Sequence, residues 1–109
     1  MDVPEVDIEE LAKAREAGAP LVDVREPDEY ARFHVPGAVL VPLREVPDRL
    51  DELPGLEGER VFVICGSGGR SRRAAELMLT NGIDAVNVTG GSRAWIEAGH
   101  PVVTGPEPG

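Results

Sequence analysis

Four short apolar segments, separated by stretches with helical periodicity, most constrain the fold of this chain. The segments are LVDV (21–24), AVLV (38–41), VFVIC (61–65) and AVNV (85–88). Short, continuous apolar runs rich in β-branched residues are typical of strands buried on both faces. The helical patterns lie at 7–17, 26–33, 44–52, 71–81 and 92–98. Gly90 and Gly91 are expected to form the turn before the last helix, and Ser92 its N-cap. Strands that alternate with helices predict an α/β fold, in which a parallel sheet is covered by helices on both faces.

The chain has the length of a single domain. Its 109 residues predict one domain over 1–104, followed by a polar tail at 105–109 that is expected to be disordered. The one cysteine excludes an internal disulfide, which is typical of a reducing compartment. We find neither a secretory leader nor an apolar run long enough to cross a membrane. These features predict a cytoplasmic protein without a membrane partner.

The overall charge is strongly acidic, but the region next to the cysteine is basic. Twenty acidic and eleven basic residues give a formal net charge of −9, which disfavours nucleic acid as a partner. Three of the arginines, at positions 70, 72 and 73, follow Cys65 closely. A solvated start of a helix and a site for an anion both explain this local patch, and charge alone does not separate them.

The segment CGSGGRS (65–71) lies between a predicted strand and a predicted helix. Its glycines allow backbone N–H groups to turn inward at the N-terminus of a helix, which forms a cradle for an anion. We expect Ser71 to cap the helix and Arg70 to face the cradle. Such surroundings favour the thiolate form of Cys65, and the thiolate is the nucleophile. The candidate site therefore consists of Cys65 and the loop residues Gly66, Ser67, Gly68, Gly69, Arg70 and Ser71.

Other uses of this loop fit its residues less well. A buried cysteine often acts only as a small apolar side chain, but that role requires neither three glycines nor an arginine cluster. The loop lacks the lysine and the spacing of a nucleotide-binding P-loop. One cysteine and two histidines are too few soft ligands for a metal site. We therefore expect neither a metal nor a cofactor.

With these residues assembled, the chain resembles the single-domain rhodaneses, or rhodanese-like sulfurtransferases. Three stretches carry the resemblance: DVREPDEYARFHVPGAVLVP (23–42), CGSGGRS (65–71) and VTGGSRAWIEAGHPV (88–102). The resemblance implies a five-stranded, mostly parallel sheet with helices on both faces, whose first edge strand lies around residues 3–6. It implies further that Cys65 is the catalytic cysteine, which takes sulfur from a donor such as thiosulfate and carries it as a persulfide.

The resemblance also implies the partners of this reaction. They are a small anionic sulfur donor, bound by Arg70, and a thiol or cyanide acceptor, and a sulfur-relay protein could take part. Asp23 and Arg25 follow a predicted strand that ends at the same edge of the sheet. They either support the site from a second layer or form a buried network of their own, and both interpretations stay open.

Two features of the loop leave other functions open. Cys65 and Arg70 are separated by four residues, one fewer than in cysteine-dependent phosphatases, so an arsenate or phosphate ester substrate is less favoured. Gly66 stands where the family often has a side chain that touches the substrate, which puts the donor preference in doubt. The second function is therefore a sulfur-carrier or regulatory module that docks on a protein partner and is weak on free thiosulfate. A structural domain without chemistry is disfavoured by the intact loop.

Overall fold

The computed structural model describes residues 2–55 and 58–109 and contains one five-stranded sheet. The strands are β1 (Glu5–Val6), β2 (Leu21–Asp23), β3 (Val39–Leu40), β4 (Val61–Ile64) and β5 (Ala85–Val88). Their order across the sheet is β1-β5-β4-β2-β3, and every neighbouring pair is parallel. The five-stranded sheet and its edge strand β1 are thus as the resemblance implies. Strand β4 is central, which places its carboxyl end in the middle of one edge of the sheet.

Helices cover both faces of the sheet, as predicted for an α/β fold. They are α1 (Ile8–Glu16), α2 (Pro27–Arg32), α3 (Gly69–Thr80) and α4 (Gly91–Glu97). One core lies between the sheet and α1, α2 and α4, and it includes Leu11, Tyr30 and Trp95. The other lies beneath α3 and includes Ala74 and Met78. Because alternate residues of a strand face opposite sides, β4 contributes Phe62 and Ile64 to the first core and Val61 and Val63 to the second.

The segment 44–52, predicted as a short helix, forms two 3₁₀ segments, Leu43–Asp48 and Leu50–Glu52. Pro47 lies inside the first of them. Proline has no N–H to donate and its ring clashes with the preceding turn, so a regular α-helix is unfavourable here. Both segments belong to the α3 side of the sheet, where Val46 and Leu53 are buried in the core.

Two serines predicted to cap helices, Ser71 and Ser92, do not cap them. Helix α3 begins at Gly69, with Gly68 as its N-cap at φ +114°, and Ser71 lies within the first turn. Helix α4 begins at Gly91, after an N-cap at Gly90 with φ +79°. In each case a glycine takes the left-handed conformation that ordinary side chains disfavour, so the helix starts earlier than the serine. Both serines are buried instead.

The C-terminal tail, predicted to be disordered, has defined contacts. The N–H of Gly105 donates to the carbonyl of Ala31 at 2.7 Å, and the N–H of Gly37 donates to the carbonyl of Pro108 at 2.8 Å. These bonds pair backbone groups of α2 and of the connection between α2 and β3 with the tail. The composition of the tail does not indicate such contacts. In residues 2–55 and 58–109, no helix has the length and apolar character needed to cross a bilayer.

Candidate active site

Cys65 is the first residue after β4, so the central strand of the sheet delivers it directly to the loop. The residue is only 1% exposed. Helix α3 starts four residues later, and its N-terminus therefore faces the sulfur. The partial positive charge at a helix N-terminus favours an anion at this point.

Hydrogen-bond donors surround the sulfur. The N–H of Gly68 lies 3.1 Å from Sγ, and the Ser71 hydroxyl oxygen lies 3.3 Å from it. Burial raises the pKa of the Cys65 thiol. Hydrogen bonds from the Ser71 hydroxyl and from the N–H groups of Ser71, Gly68 and Ser67 lower that pKa by more, so it lies below its ordinary value of 9.0. A thiolate nucleophile is therefore favoured at this position.

Helix α4 holds the beginning of the loop from the other side. The N–H of Ser92 donates to the carbonyl of Cys65 at 2.8 Å, and the N–H of Arg93 donates to the carbonyl of Gly66 at 3.1 Å. Both loop carbonyls thus bond to α4, whereas the N–H groups further along the loop bond to the sulfur. A side chain at Gly91 would not fit, because its Cβ would lie 2.4 Å from the Cys65 carbonyl oxygen. Gly90 and Gly91 are predicted only as the turn before this helix, so this contact is absent from the predicted site.

Two buried polar side chains, Ser71 and Asn87, link the sulfur to the exposed Glu5 in the edge strand β1. The Ser71 hydroxyl lies 2.5 Å from Asn87 Oδ1, in the middle of β5. Asn87 Nδ2 donates to Glu5 at 2.8 Å and to the carbonyl of Gly68 at 3.2 Å, which fixes the orientation of the amide. Asn87 and Glu5 are absent from the predicted site. A polar residue inside the apolar run AVNV is the signal in the sequence that points to Asn87.

Arg70 lies beside the loop and forms a bidentate ion pair with Glu29 of α2. Its Nη1 and Nη2 atoms donate to the two carboxylate oxygens at 2.7 and 2.9 Å. These bonds lower the pKa of Glu29 from 4.5 to about 2 and raise the pKa of Arg70. A Cβ at Gly66 would lie 3.4 Å from Arg70 Nη2, so the missing side chain leaves room for the guanidinium group. Glu29 is absent from the predicted site, because it lies 41 residues from Arg70 in the chain.

Asp23 and Arg25 form a buried ion pair at the end of β2. Arg25 Nη2 donates to Asp23 Oδ2 at 2.8 Å and to the carbonyl of Phe33 at 2.7 Å. The network interpretation therefore describes their contacts. Arg25 also borders a groove of about 380 Å³ that reaches Gly66, and this groove is further lined by Glu29, Arg32, Phe33, Ser92 and Arg93.

The structure brings together only part of the predicted loop set around the sulfur. Within the described part of the chain, the hydrogen bonds to Sγ come from Ser67, Gly68 and Ser71. Gly66 contributes its carbonyl to α4, Gly69 begins α3, and Arg70 is held by Glu29. Across residues 2–55 and 58–109, no group of three or more metal-ligating side chains occurs.

Comparisons with known proteins agree on one family. A family model described as a rhodanese-like domain matches residues 7–98. A protein named "Sulfurtransferase" from Allochromatium vinosum is 36% identical over 104 residues, which cover 93% of this chain and 95% of that protein. "Putative sulfur carrier protein YrkF" from Bacillus subtilis is 40% identical over 96 residues, or 85% of this chain, which spans only about half (51%) of YrkF. The crystal structure of a rhodanese-related protein from Thermoplasma volcanium superposes with a TM-score of 0.84 at 31% identity, covering 92% of this chain and 97% of that one.

Proposed function

The chain belongs to the rhodanese-like domain family, and on that premise we propose that it transfers sulfane sulfur through a persulfide on Cys65. The single observation that carries this proposal is the set of donors around Sγ at the N-terminus of α3, among them the N–H of Gly68 and the hydroxyl of Ser71. A persulfide carries its negative charge on the outer sulfur, one S–S bond from Sγ, where the N-terminus of α3 and the inward N–H groups also favour an anion. Relatives named for sulfur transfer or sulfur carriage support the same class of reaction.

In the proposed first step, the Cys65 thiolate attacks the outer sulfur of thiosulfate. A bond forms between Sγ and that sulfur, the sulfur–sulfur bond of the donor breaks, and its electron pair leaves with sulfite. The transferred sulfur is now the outer atom of a persulfide on Cys65 and carries the negative charge. In the second step, a thiolate or cyanide attacks the terminal sulfur and the electron pair of the S–S bond returns to Sγ. The enzyme alternates between two forms, as in other covalent catalysis.

In this proposal the residues around the loop hold the reacting groups in place and take no part in making or breaking bonds. Ser92 and Arg93 hold the carbonyls of Cys65 and Gly66, which keeps the loop closed around the sulfur. Arg70 stands next to Gly66 at the mouth, where an anionic donor shares its guanidinium group with Glu29. Asp23 and Arg25 support the wall of the groove from a second layer.

A second function is favoured by the state of Arg70. Its guanidinium group is bound by Glu29, so less of its positive charge is available to bind a small anionic donor. YrkF, which is named as a sulfur carrier, is similar over most of this chain. We therefore keep the sulfur-carrier or regulatory module as the alternative: it would form the persulfide with a protein partner and react weakly with free thiosulfate.

Intact mass after incubation with thiosulfate tests the proposed function. We expect the wild type to gain one sulfur atom and to lose it again when cyanide or a thiol is added. Cys65→Ser should gain none, because the hydroxyl cannot form a persulfide. The control is Ser67→Ala, which removes an exposed hydroxyl from the same loop and should load sulfur like the wild type.

No gain of mass in the wild type with thiosulfate would contradict the simple thiosulfate enzyme. Loading from a protein persulfide under the same conditions would then support the sulfur-carrier alternative. If neither donor loads Cys65, sulfur transfer itself is contradicted, and phosphate esters or arsenate become the substrates to test.

A further inference from the structure

Glu29 is a fixed negative charge at the mouth of the site. Besides the two bonds from Arg70, its Oε1 accepts a hydrogen bond from the N–H of Glu26 at 3.0 Å. Its backbone carbonyl accepts a hydrogen bond from Arg25 Nη1 at 3.3 Å. The carboxylate is therefore anchored at the start of α2 and cannot easily swing away when a substrate arrives. Its depressed pKa keeps it charged at neutral pH.

The charges around the sulfur do not favour a highly charged donor. The Asp23–Arg25 pair is neutral as a whole, and so is the pair of Glu29 and Arg70. These two pairs and the Cys65 thiolate together carry one net negative charge, while Arg32 and Arg93 line the groove outside both pairs. An incoming dianion such as thiosulfate must share the Arg70 guanidinium with a carboxylate that already occupies both of its terminal nitrogens. A donor with a single negative charge meets about half of this repulsion, and a neutral donor meets none of it.

We propose that Glu29 is a specificity-determining residue that selects against multiply charged inorganic donors and in favour of persulfides of thiols. This inference deepens the proposed sulfur transfer and rests on it. Glu29 and Arg70 come from α2 and α3, on opposite faces of the sheet, and meet over its carboxyl edge. The ion pair thus stands beside Gly66, since a Cβ built on that residue would lie 3.4 Å from Arg70 Nη2.

Alkylation of Cys65 with two reagents of nearly equal shape tests the role of Glu29 without requiring sulfur transfer. Iodoacetate carries one negative charge and iodoacetamide carries none. Both react with the same thiolate, so the ratio of their rate constants is independent of the Cys65 pKa and reports only the local potential. Glu29→Gln removes the charge but keeps an oxygen that can accept from the N–H of Glu26. Glu26→Gln is the matched control, since Glu26 lies on the same turn but pairs with Arg44 instead.

We expect Glu29→Gln to raise the iodoacetate-to-iodoacetamide ratio about fivefold at low salt, and Glu26→Gln to change it by less than about twofold. The difference should shrink in about 1 M salt, because mobile ions screen the carboxylate. An unchanged ratio in Glu29→Gln would overturn the proposal. A lower ratio would also overturn it, because Glu29 would then hold Arg70 in the position that binds anions.

The loading of sulfur gives the second measurement. For the same site, a dianion responds to the removed charge with twice the energy of a monoanion, so the rate of loading from thiosulfate should rise about 25-fold in Glu29→Gln. Loading from the persulfide of 2-mercaptoethanol should rise about fivefold or less. If the alkylation ratio rises but no donor loads Cys65 in any variant, the electrostatic role of Glu29 stands and sulfur transfer fails. If loading occurs with equal preference in both proteins, the specificity role fails alone.

Discussion

The buried hydroxyl of Ser71 lies within hydrogen-bond distance of the Cys65 sulfur, at 3.3 Å, and of Asn87 Oδ1, at 2.5 Å. The sequence predicts a helix cap, yet the hydroxyl lies in the first turn of α3, fully buried, between the sulfur and Asn87 Oδ1. A serine hydroxyl has one proton and can donate to only one of these acceptors at a time. When Cys65 is a thiolate, the sulfur is the charged acceptor and the stronger competitor for that proton.

Ser71→Ala should therefore raise the pKa of Cys65, because one hydrogen bond to the charged sulfur is lost. The pH dependence of alkylation by iodoacetamide measures this pKa, and its midpoint should move to higher pH. Ser67→Ala is the control, because it removes an exposed hydroxyl from the same loop. An unchanged midpoint in Ser71→Ala would show that backbone donors alone set the pKa.

Helix α4 acts on the site as an element. Its first turn contributes no side chain to the sulfur but binds the carbonyls of Cys65 and Gly66 through the N–H groups of Ser92 and Arg93. This contact requires the helix to approach the loop backbone without an intervening side chain. Gly91 meets that requirement, and at φ +60° it also adopts a conformation that favours glycine.

Two substitutions separate the close approach of α4 from the glycine conformation. They are Gly91→Ala at the start of α4 and Gly99→Ala two residues after its end. Gly99 also has a positive φ, of +84°, but a Cβ there would meet no atom within 4 Å. We expect Gly99→Ala to lower the free energy of unfolding by about 1 kcal/mol from backbone strain alone. Gly91→Ala should lower it by about 3 kcal/mol, because its Cβ collides with the loop backbone. Denaturant unfolding measures both.

The rate at which Cys65 is alkylated provides a second, independent comparison of these two variants. Gly91→Ala should slow the reaction of Cys65 in the folded protein, whereas Gly99→Ala should leave it unchanged. Equal destabilisation by the two substitutions would contradict the close approach of α4 to the loop.

At the scale of the whole molecule, the Glu29–Arg70 pair joins the two helical layers across the edge of the sheet. The pKa of Glu29 is about 2 in the folded protein, against an ordinary value of 4.5. A carboxyl whose pKa is depressed by folding stabilises the native state above its ordinary pKa, and that stabilisation is lost as the pH falls toward its folded pKa. The pair therefore contributes to stability at neutral pH, and the contribution disappears between about pH 4.5 and pH 2.

Glu29→Gln should accordingly flatten the dependence of stability on pH in this acid range. The midpoint of urea unfolding, followed from neutral pH to about pH 2, measures the effect. Glu26→Gln should keep the steeper, wild-type dependence, since Glu26 pairs with the exposed Arg44. Parallel curves for the wild type and Glu29→Gln would show that the ion pair adds nothing to acid stability.

The sequence by itself determined four of the five strands and the position of the thiol, whereas the edge strand β1 was implied by the resemblance alone. Short β-branched runs between helical patterns are local signals, and they indicate buried parallel strands whatever the helices pack against. A cysteine at the end of such a run, followed by glycines and a helix, places the sulfur at a helix N-terminus by chain connectivity alone. Both features depend on neighbours in the chain, which is why the fold and Cys65 were predictable.

Tertiary structure alone decided which distant residues pack around the loop that holds that thiol. Glu29 and Arg70 are 41 residues apart, and Asn87 and Glu5 are 82 apart, so their pairing depends on how helices and strands pack rather than on local patterns. The two serine caps were predicted wrongly because glycines with positive φ start the helices earlier, where the backbone must approach its neighbour closely. Even the contacts of the tail depend on backbone groups left unpaired more than 70 residues away, at the connection between α2 and β3.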